Sequence, residues 1–542
     1  MRTPIPRTAA LLAALLLAAC TPERGDAPAS ASAARIRADV QVLADDGMQG
    51  RMTGSPGFDR AARYVAVRMQ RIGLEPAGDG GWFQRVALLQ TTPVPGATAV
   101  AVRHGTRAVA LQAGRDVLAA PGFEGAVALA DLPMVFVGRG VHAPELGVDD
   151  FAGLDLRGTA VLLLGGAPAR FEPDVRAYLA ATDTKLRALA ARGAVAAVFL
   201  RTPGDDAALP WSRLSEIVAR PAMRLADTPR TSLRAVLHVQ ADAVDTLLAG
   251  SGHTLARLAS DAESGSVPGF ALPARLDLAT ASRVQPVGST NVVGRLPGSD
   301  ARRAGRVAVT AHLDHLGETA GGDDRVFNGA VDNALGVAVM LEAARRMAAA
   351  PAAARDTLFV ALTGEEQGLL GAQAFAQAAS HHALIANLNL DMPLLLVPTR
   401  DVGVAGAERS TLGDHLRAAA DAMDVALTPD PMAAQGAFVR SDQFAFVRRG
   451  VPALYLMGGT DPAHRDDDAA AAAAAFMRDR YHRPGDEADR PIAWNDAARL
   501  AGLVARTAAS VADAPEAPAW HAGDFFGGRF APVPAVGSPA PP

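Results

Sequence analysis

From residue 290 onward short apolar runs alternate with amphipathic ones, and this alternation restricts the possible folds more than any other feature of the chain. Strands are read at 307–310, 358–363, 384–390 and 453–457, and helices at 337–347, 368–378, 412–423 and 497–508. Strand–helix alternation builds a mainly parallel sheet with helices on both faces. The expected class is therefore α/β, a mainly parallel mixed sheet between two helical layers. Such sheets gather their functional groups at the carboxyl ends of the strands.

Acidic and histidine residues fall where that geometry would use them. His312 and Asp314 lie just past the first strand, in A-H-L-D-H-L-G. Asp332 precedes a helix in F-N-G-A-V-D-N-A-L-G. Glu365 and Glu366 follow the second strand in L-T-G-E-E, Asp391 ends the third in N-L-N-L-D, and His482 lies in a later loop, Y-H-R-P-G-D. Imidazole nitrogen and carboxylate oxygen are the ligands of a catalytic zinc site. Two His and three carboxylates suit two metals with one carboxylate shared. Asp332 is placed to bridge, with His312 and Asp391 completing one metal and Glu366 and His482 the other. Glu365, beside a ligand, is placed to take a proton from water. Asp314 is placed to accept the second N–H of His312 and fix its tautomer. His315 is read as pointing elsewhere, and His381-His382 as a polar helix end.

The other segments read differently. Amphipathic helices are expected from 33 to about 44 and again around 61–72, with a strand at 83–89. Between about 92 and 284 short apolar runs at 98–102, 134–137, 160–164 and 194–200 alternate with turns, and one helix carries Leu186, Leu189 and Ala190 on a single face. Residues 466–475 read as an acidic, alanine-rich surface loop running into a helix. A formal net charge of −5, with no long Lys/Arg run, argues against nucleic acid as a partner.

Residues 291–508 resemble the co-catalytic di-zinc aminopeptidases, a family that also holds glutamate carboxypeptidases, glutaminyl cyclases and the non-catalytic transferrin receptor. The motifs above carry the resemblance, together with N-V-V-G-R-L-P-G at 291–298, R-S-D-Q-F-A-F from Arg440, and L-A-D-D-G-M-Q-G-R-M-T-G-S-P-G at 43–57. It implies the zinc-peptidase α/β/α sandwich, two Zn2+ per chain, the same five ligands and Glu365 as general base. It further implies a cis peptide at Asp332-Asn333, Tyr481 as a donor to the tetrahedral oxyanion, and peptides as substrates. Val331 and Leu335 stand where relatives often have a carboxylate and a hydroxyl, and Gln443 where a histidine is common. Two alternatives stay open, a carboxypeptidase or dipeptidase of the same family and a non-catalytic binding protein on its scaffold.

V-F-V-G-R-G at 135–140, followed by D-D-F-A-G-L-D-L-R-G at 149–158, resembles the protease-associated domain inserted in secreted peptidases. Arg2 and Arg7 precede an apolar stretch at 9–19 too short to span a bilayer, and L-A-A-C at 17–20 resembles a lipobox. Cys20 is the only cysteine, so no internal disulfide can form. The expected organisation is a lipoprotein signal at 1–20, a tether at 21–32, peptidase at 33–91, an inserted protease-associated domain at 92–284, peptidase again at 285–515 and a Pro/Gly/Ala-rich tail at 516–542. The protein is expected to be exported and held on the outer membrane through lipid at Cys20 alone, with a secreted periplasmic form as the second choice.

Overall fold

The computed structural model describes residues 26–265, 267–378 and 383–531. The expected signal segment with Cys20, His381-His382 and the last eleven residues of the expected tail lie outside them.

Four parallel strands form the centre of the peptidase portion, in the order Thr357–Leu362, Arg306–His312, Leu384–Leu390 and Ala453–Gly458. Every residue of Thr357–Leu362 and Ala453–Gly458 is buried, as expected for strands covered on both faces. Antiparallel neighbours flank this centre: Phe270–Leu296 on one side and Asp401–Ala405 on the other. The sheet is thus mixed, as expected. Helices Leu335–Ala348, Trp494–Asp513, Asp26–Leu43 and Pro56–Ile72 pack one face into the largest core cluster, and Leu370–Gln377 and Gln443–Val447 cover the other.

The Phe270–Leu296 strand runs for 27 residues and belongs to two structures at once. Its later half pairs with Thr357–Leu362 in the peptidase sheet. Its earlier half pairs with Ala99–His104 and Ala126–Phe136 in the inserted region. There Ala126–Phe136, Ala160–Leu164, Ala196–Leu200 and Ala235–Val239 run parallel, with a separate apolar cluster on each face. The insert therefore has its own core and is tied to the peptidase portion through one continuous ladder.

Two expectations on chain ends need correction. The first helix begins at Asp26, inside the expected tether, and Ser32 binds the buried Glu342 at 2.6 Å. The expected tail is built up to residue 531. Phe525–Phe530 forms a short helix, and Phe526 is fully buried among Tyr178, Phe438 and Phe444. Aromatic burial outweighs the loop-like Pro/Gly/Ala composition there. The acidic, alanine-rich tract at 466–475 enters the helix Ala469–Asp479, capped by Asp468.

Arg409 joins the insert to the rest. Only 8% of its side chain is exposed, and it lies 2.7 Å from Glu172 and Asp174 of the insert and 3.2 Å from Asp524 near the C-terminus. Its guanidinium also lies over Phe438 and Phe526. Burial, with Glu172 and Asp430 adding to it, pushes Asp174 up to about 6 against the pull of Arg409. Removing the cation strands two buried carboxylates, at a cost of roughly 3–5 kcal/mol. Arg409→Met is expected to lower the denaturation midpoint accordingly and to expose the 170–180 segment to proteolysis, read by denaturant titration and limited digestion.

Candidate metal centre

The central parallel strands deliver their acidic and imidazole groups to one edge of the sheet. His312 is the last residue of Arg306–His312, Asp391 directly follows Leu384–Leu390, and Glu365 and Glu366 lie in the turn after Thr357–Leu362. Asp332 sits in the irregular turn entering Leu335–Ala348, and the Asp332-Asn333 peptide is cis, as the resemblance implied. His482 reaches in from the loop after Ala469–Asp479, with φ of 56° in the left-handed region that non-glycine residues adopt chiefly where surroundings enforce it.

The donors fall into two groups that share Asp332. His312 Nε2 lies 2.9 Å from Asp391 Oδ1 and 3.3 Å from Asp332 Oδ1. His482 Nε2 lies 3.1 Å from Glu366 Oε2 and 3.3 Å from Asp332 Oδ2. The two oxygens of Asp332 thus face opposite groups. A tetrahedral zinc site with bonds of about 2.0–2.1 Å sets neighbouring donors about 3.3 Å apart, so both groups have the spacing and chemistry to hold one ion each. All five residues singled out from sequence as ligands are brought together.

His315 is brought in as well, contrary to the reading that it points elsewhere. It is fully buried, with Nδ1 2.7 Å from Glu366 Oε1 and 3.9 Å from Asp332 Oδ2, and its Nε2 has no hydrogen-bond partner among the described residues. It takes the Glu366 oxygen that His482 leaves free. The local signal was present, since His315 falls in the same strand-end loop as His312 and Asp314.

Asp314 acts differently from expectation. The second nitrogen of His312, Nδ1, lies 3.1 Å from the backbone carbonyl of Asp314, while the Asp314 carboxylate is 3.9 Å away. The carboxylate instead accepts from the amides of Glu365 at 3.1 Å and Glu366 at 3.4 Å, and from the Thr53 hydroxyl at 3.0 Å. It therefore organises the turn that presents the Glu pair.

Several neutral or singly charged clamps set the ligand loops. Asn333 donates to the carbonyls of His312 and Leu390 and accepts from the amides of Gly336 and Met392, so one amide side chain ties two strand ends to the Asp332 turn. Asp486, the last residue of Y-H-R-P-G-D, accepts from the amides of Val331 and Asp332. Asn291 accepts from the Thr363 amide and donates to the Gly371 carbonyl, fixing the base of the Glu-Glu turn. Arg51, fully buried, donates to the carbonyls of Leu43, Leu313, Asn328 and Gly329, and burial lowers it to about 10. Gly329 has φ of 58°, and a Cβ there would meet the Asp332 carbonyl at 2.2 Å and the His315 ring at 2.6 Å. Val331 and Leu335 are buried in the main core, which accounts for their apolar character.

The titration behaviour follows from burial and crowding. Burial disfavours the His312 cation, but Asp391 and Asp332 outweigh it and hold the imidazole well above its usual range. His482 is likewise raised against burial, to about 10, by Asp332 and Glu366. Burial pushes Asp332 up, yet the three surrounding imidazoles hold it well below the usual carboxylate range. Glu365 is pushed well above its ordinary value by burial, with Asp391, Glu366 and Asp442 adding to the effect and His312 opposing it. Asp442, buried with neither oxygen hydrogen-bonded to a described residue, is raised in the same way, and Asp314 is pushed to about 6. The carboxylates cannot all ionise on the strength of the imidazoles alone. A divalent cation would displace protons and neutralise them.

These groups open onto a cavity of about 120 Å³ lined by His312, Asp332, Glu365, Asp391, Tyr481 and His482, among others. Tyr481 stacks on the His482 ring, with centroids 3.8 Å apart. Burial and nearby carboxylates raise its pKa, so the phenol remains a donor.

Comparison with known proteins agrees with this arrangement. Residues 291–508 match the profile of Peptidase family M28. A "Probable zinc metalloprotease" of Pyrenophora teres f. teres is 40% identical over 133 residues, 24% of this chain and 26% of that protein. One of the same description from Pyrenophora tritici-repentis is 38% identical over 133 residues, covering 24% and 28%. The alignments thus span only about a quarter of the length of these curated relatives. Among solved structures, the aminopeptidase from Aneurinibacillus sp. strain AM-1 superposes with a TM-score of 0.50 at 19% identity, over 88% of this chain and 92% of that one, a likeness of fold. The strand-end motifs, the geometry they produce and the profile match coincide over one stretch, and residues 291–508 of this chain are a domain of peptidase family M28.

Proposed function

We propose that the chain is an exported metallo-aminopeptidase that removes residues from the N-terminus of peptides, with two zinc ions at the strand ends. The observation that carries this reading is the division of Asp332, one oxygen toward His312 and Asp391 and the other toward His482 and Glu366. In this reading His312, Asp332 and Asp391 hold one ion and Asp332, Glu366 and His482 the other, while His315 orients Glu366. Two bound zinc ions would supply Lewis acidity, lowering the pKa of a water and polarising the scissile carbonyl.

The chain's own groups supply the remainder. Glu365 opens onto the cavity without a ligand's contacts and is raised by burial, which makes its carboxylate basic enough to take a proton from the attacking water and return it to the leaving amine. Tyr481, kept protonated, donates toward the oxyanion. The acidic lining suits a substrate ammonium. Neighbouring Asp314 works through the turn it caps rather than on substrate. A non-catalytic scaffold is disfavoured because every expected ligand and the base are present together.

Export rests on the Arg2/Arg7, apolar 9–19 and Cys20 pattern. Acyl chains on Cys20 would hold the enzyme at a membrane surface. None of the helices described is long and apolar enough to cross a membrane. The insert at 92–284 is read as a protease-associated module.

Three outcomes are expected. Glu365→Gln should retain metal while turnover of aminoacyl-anilides falls at least about a hundredfold, as on loss of a general base; full activity in that variant would remove Glu365 from the chemistry. Peptides with acetylated N-termini should remain uncut, and their cleavage would favour the carboxypeptidase reading. Asp486→Asn, which disturbs the cradle of the bridging residue without removing a proposed ligand side chain, should weaken metal binding roughly 10–100-fold in a chelator-competition titration.

A further inference from the structure

One wall of the cavity is formed by Met432, Gln435, Ala437, Arg440 and Ser441. Its backbone is firmly held. Gln443 donates to the carbonyls of Ala437 at 3.2 Å and Phe438 at 2.8 Å. Asn389, on the Leu384–Leu390 strand, donates to Ser441 Oγ at 2.9 Å and to Gln443 Oε1 at 2.8 Å. From the insert, Ala177 lies so close to Gly436 that a Cβ on the glycine would meet it at 2.1 Å. The wall is pinned on both sides of Arg440.

The Arg440 side chain is not. It is exposed, and no hydrogen bond or ion pair joins its guanidinium to any described residue, although its backbone amide donates to Ala437. It is also the one arginine or lysine among the described residues lining the cavity, whose other charged groups are acids and imidazoles. A cation on a fixed backbone, lining the cavity and without a partner among the described residues, is available to an anion. Guanidinium presents a planar fork that matches carboxylate in two parallel hydrogen bonds. The acids on the cavity floor offer the complementary site for an ammonium.

We infer that Arg440 receives a substrate carboxylate, so that the preferred substrates carry a free amine at one end and a carboxylate within reach of this wall. This rests on the aminopeptidase reading and narrows it. The carboxylate has two possible sources, the free C-terminus of a very short peptide or an acidic first side chain.

The test uses the purified, zinc-loaded full chain as wild type, Arg440→Gln and Arg440→Lys. The kcat/KM ratio of leucyl-leucine to leucyl-leucinamide reads the terminal carboxylate, and that of glutamyl-anilide to leucyl-anilide reads the side chain. In wild type at least one ratio is expected to favour the carboxylate about tenfold or more, as for a charge-assisted hydrogen bond. Arg440→Gln should collapse that ratio mainly through KM, and Arg440→Lys should recover part of it. Calorimetric binding of leucyl-leucine and its amide to Glu365→Gln, with and without Arg440→Gln, should show the same preference without turnover. Ratios unmoved by Arg440→Gln in an active enzyme overturn the role of Arg440 alone. A wild type that cuts none of the four substrates overturns the peptidase reading, and this one with it.

Discussion

Negative charge crowded at the strand ends is the constraint around which the rest of the structure is arranged. Asp314, Asp332, Glu365, Glu366, Asp391 and Asp442 approach one another where little water reaches. Two like charges about 4 Å apart repel by roughly 4 kcal/mol even at an effective dielectric of 20. Three imidazoles offset part of this, and burial together with the neighbouring carboxylates holds Glu365 and Asp442 well above the usual carboxylate range. What remains suits divalent cations, so stability and metal binding become one property of the site.

Holding such a crowd requires groups that add no further negative charge near it. Asn333 and Asn291 fit, since an amide can bridge donors and acceptors while staying neutral. Arg51 adds a buried positive charge but spends its N–H groups on four carbonyls, tying the front-end loop to the segment just after His312 and to the turn before Asp332. Its field also favours the nearby carboxylates. Asp486 is the exception, a carboxylate placed among donors; two backbone amides oppose the burial that raises it. The ligands are thus oriented by their loops, and the loops by a shell of residues drawn from distant stretches of chain.

That division explains what was legible beforehand. Side chains at strand ends could be read because position in an α/β sheet predicts convergence, and the five residues proposed as ligands lie together with Glu365, as expected. Three of the four central strands were found to within a residue at each end and Arg306–His312 was read three residues short, since apolar runs mark strands buried on both faces. Asp401–Ala405 was missed, being five residues with one aspartate and one glycine, too short and too polar to stand out. The supporting shell was also illegible. Nothing local in Asn333 or Arg51 says which carbonyl each will meet, because their partners lie far away in sequence. Asp314 shows the same limit. Its spacing from His312 was right for a partner, but spacing could not tell its carbonyl from its carboxylate.

The insert, which carries none of the proposed metal ligands, still bears on the cavity. Ala177 packs against Gly436, and the Arg409 cluster fixes the helix that carries Ala177 relative to Phe438. Gly436 and Phe438 lie behind the cavity wall, in the same 432–441 segment as Arg440. The shape of the substrate-facing surface is therefore set partly by the insert and by the packed C-terminal segment, whereas the metal cage is set by the sheet. In the proposed reading, chemistry rests on the sheet and selectivity on the wall, two different parts of the fold.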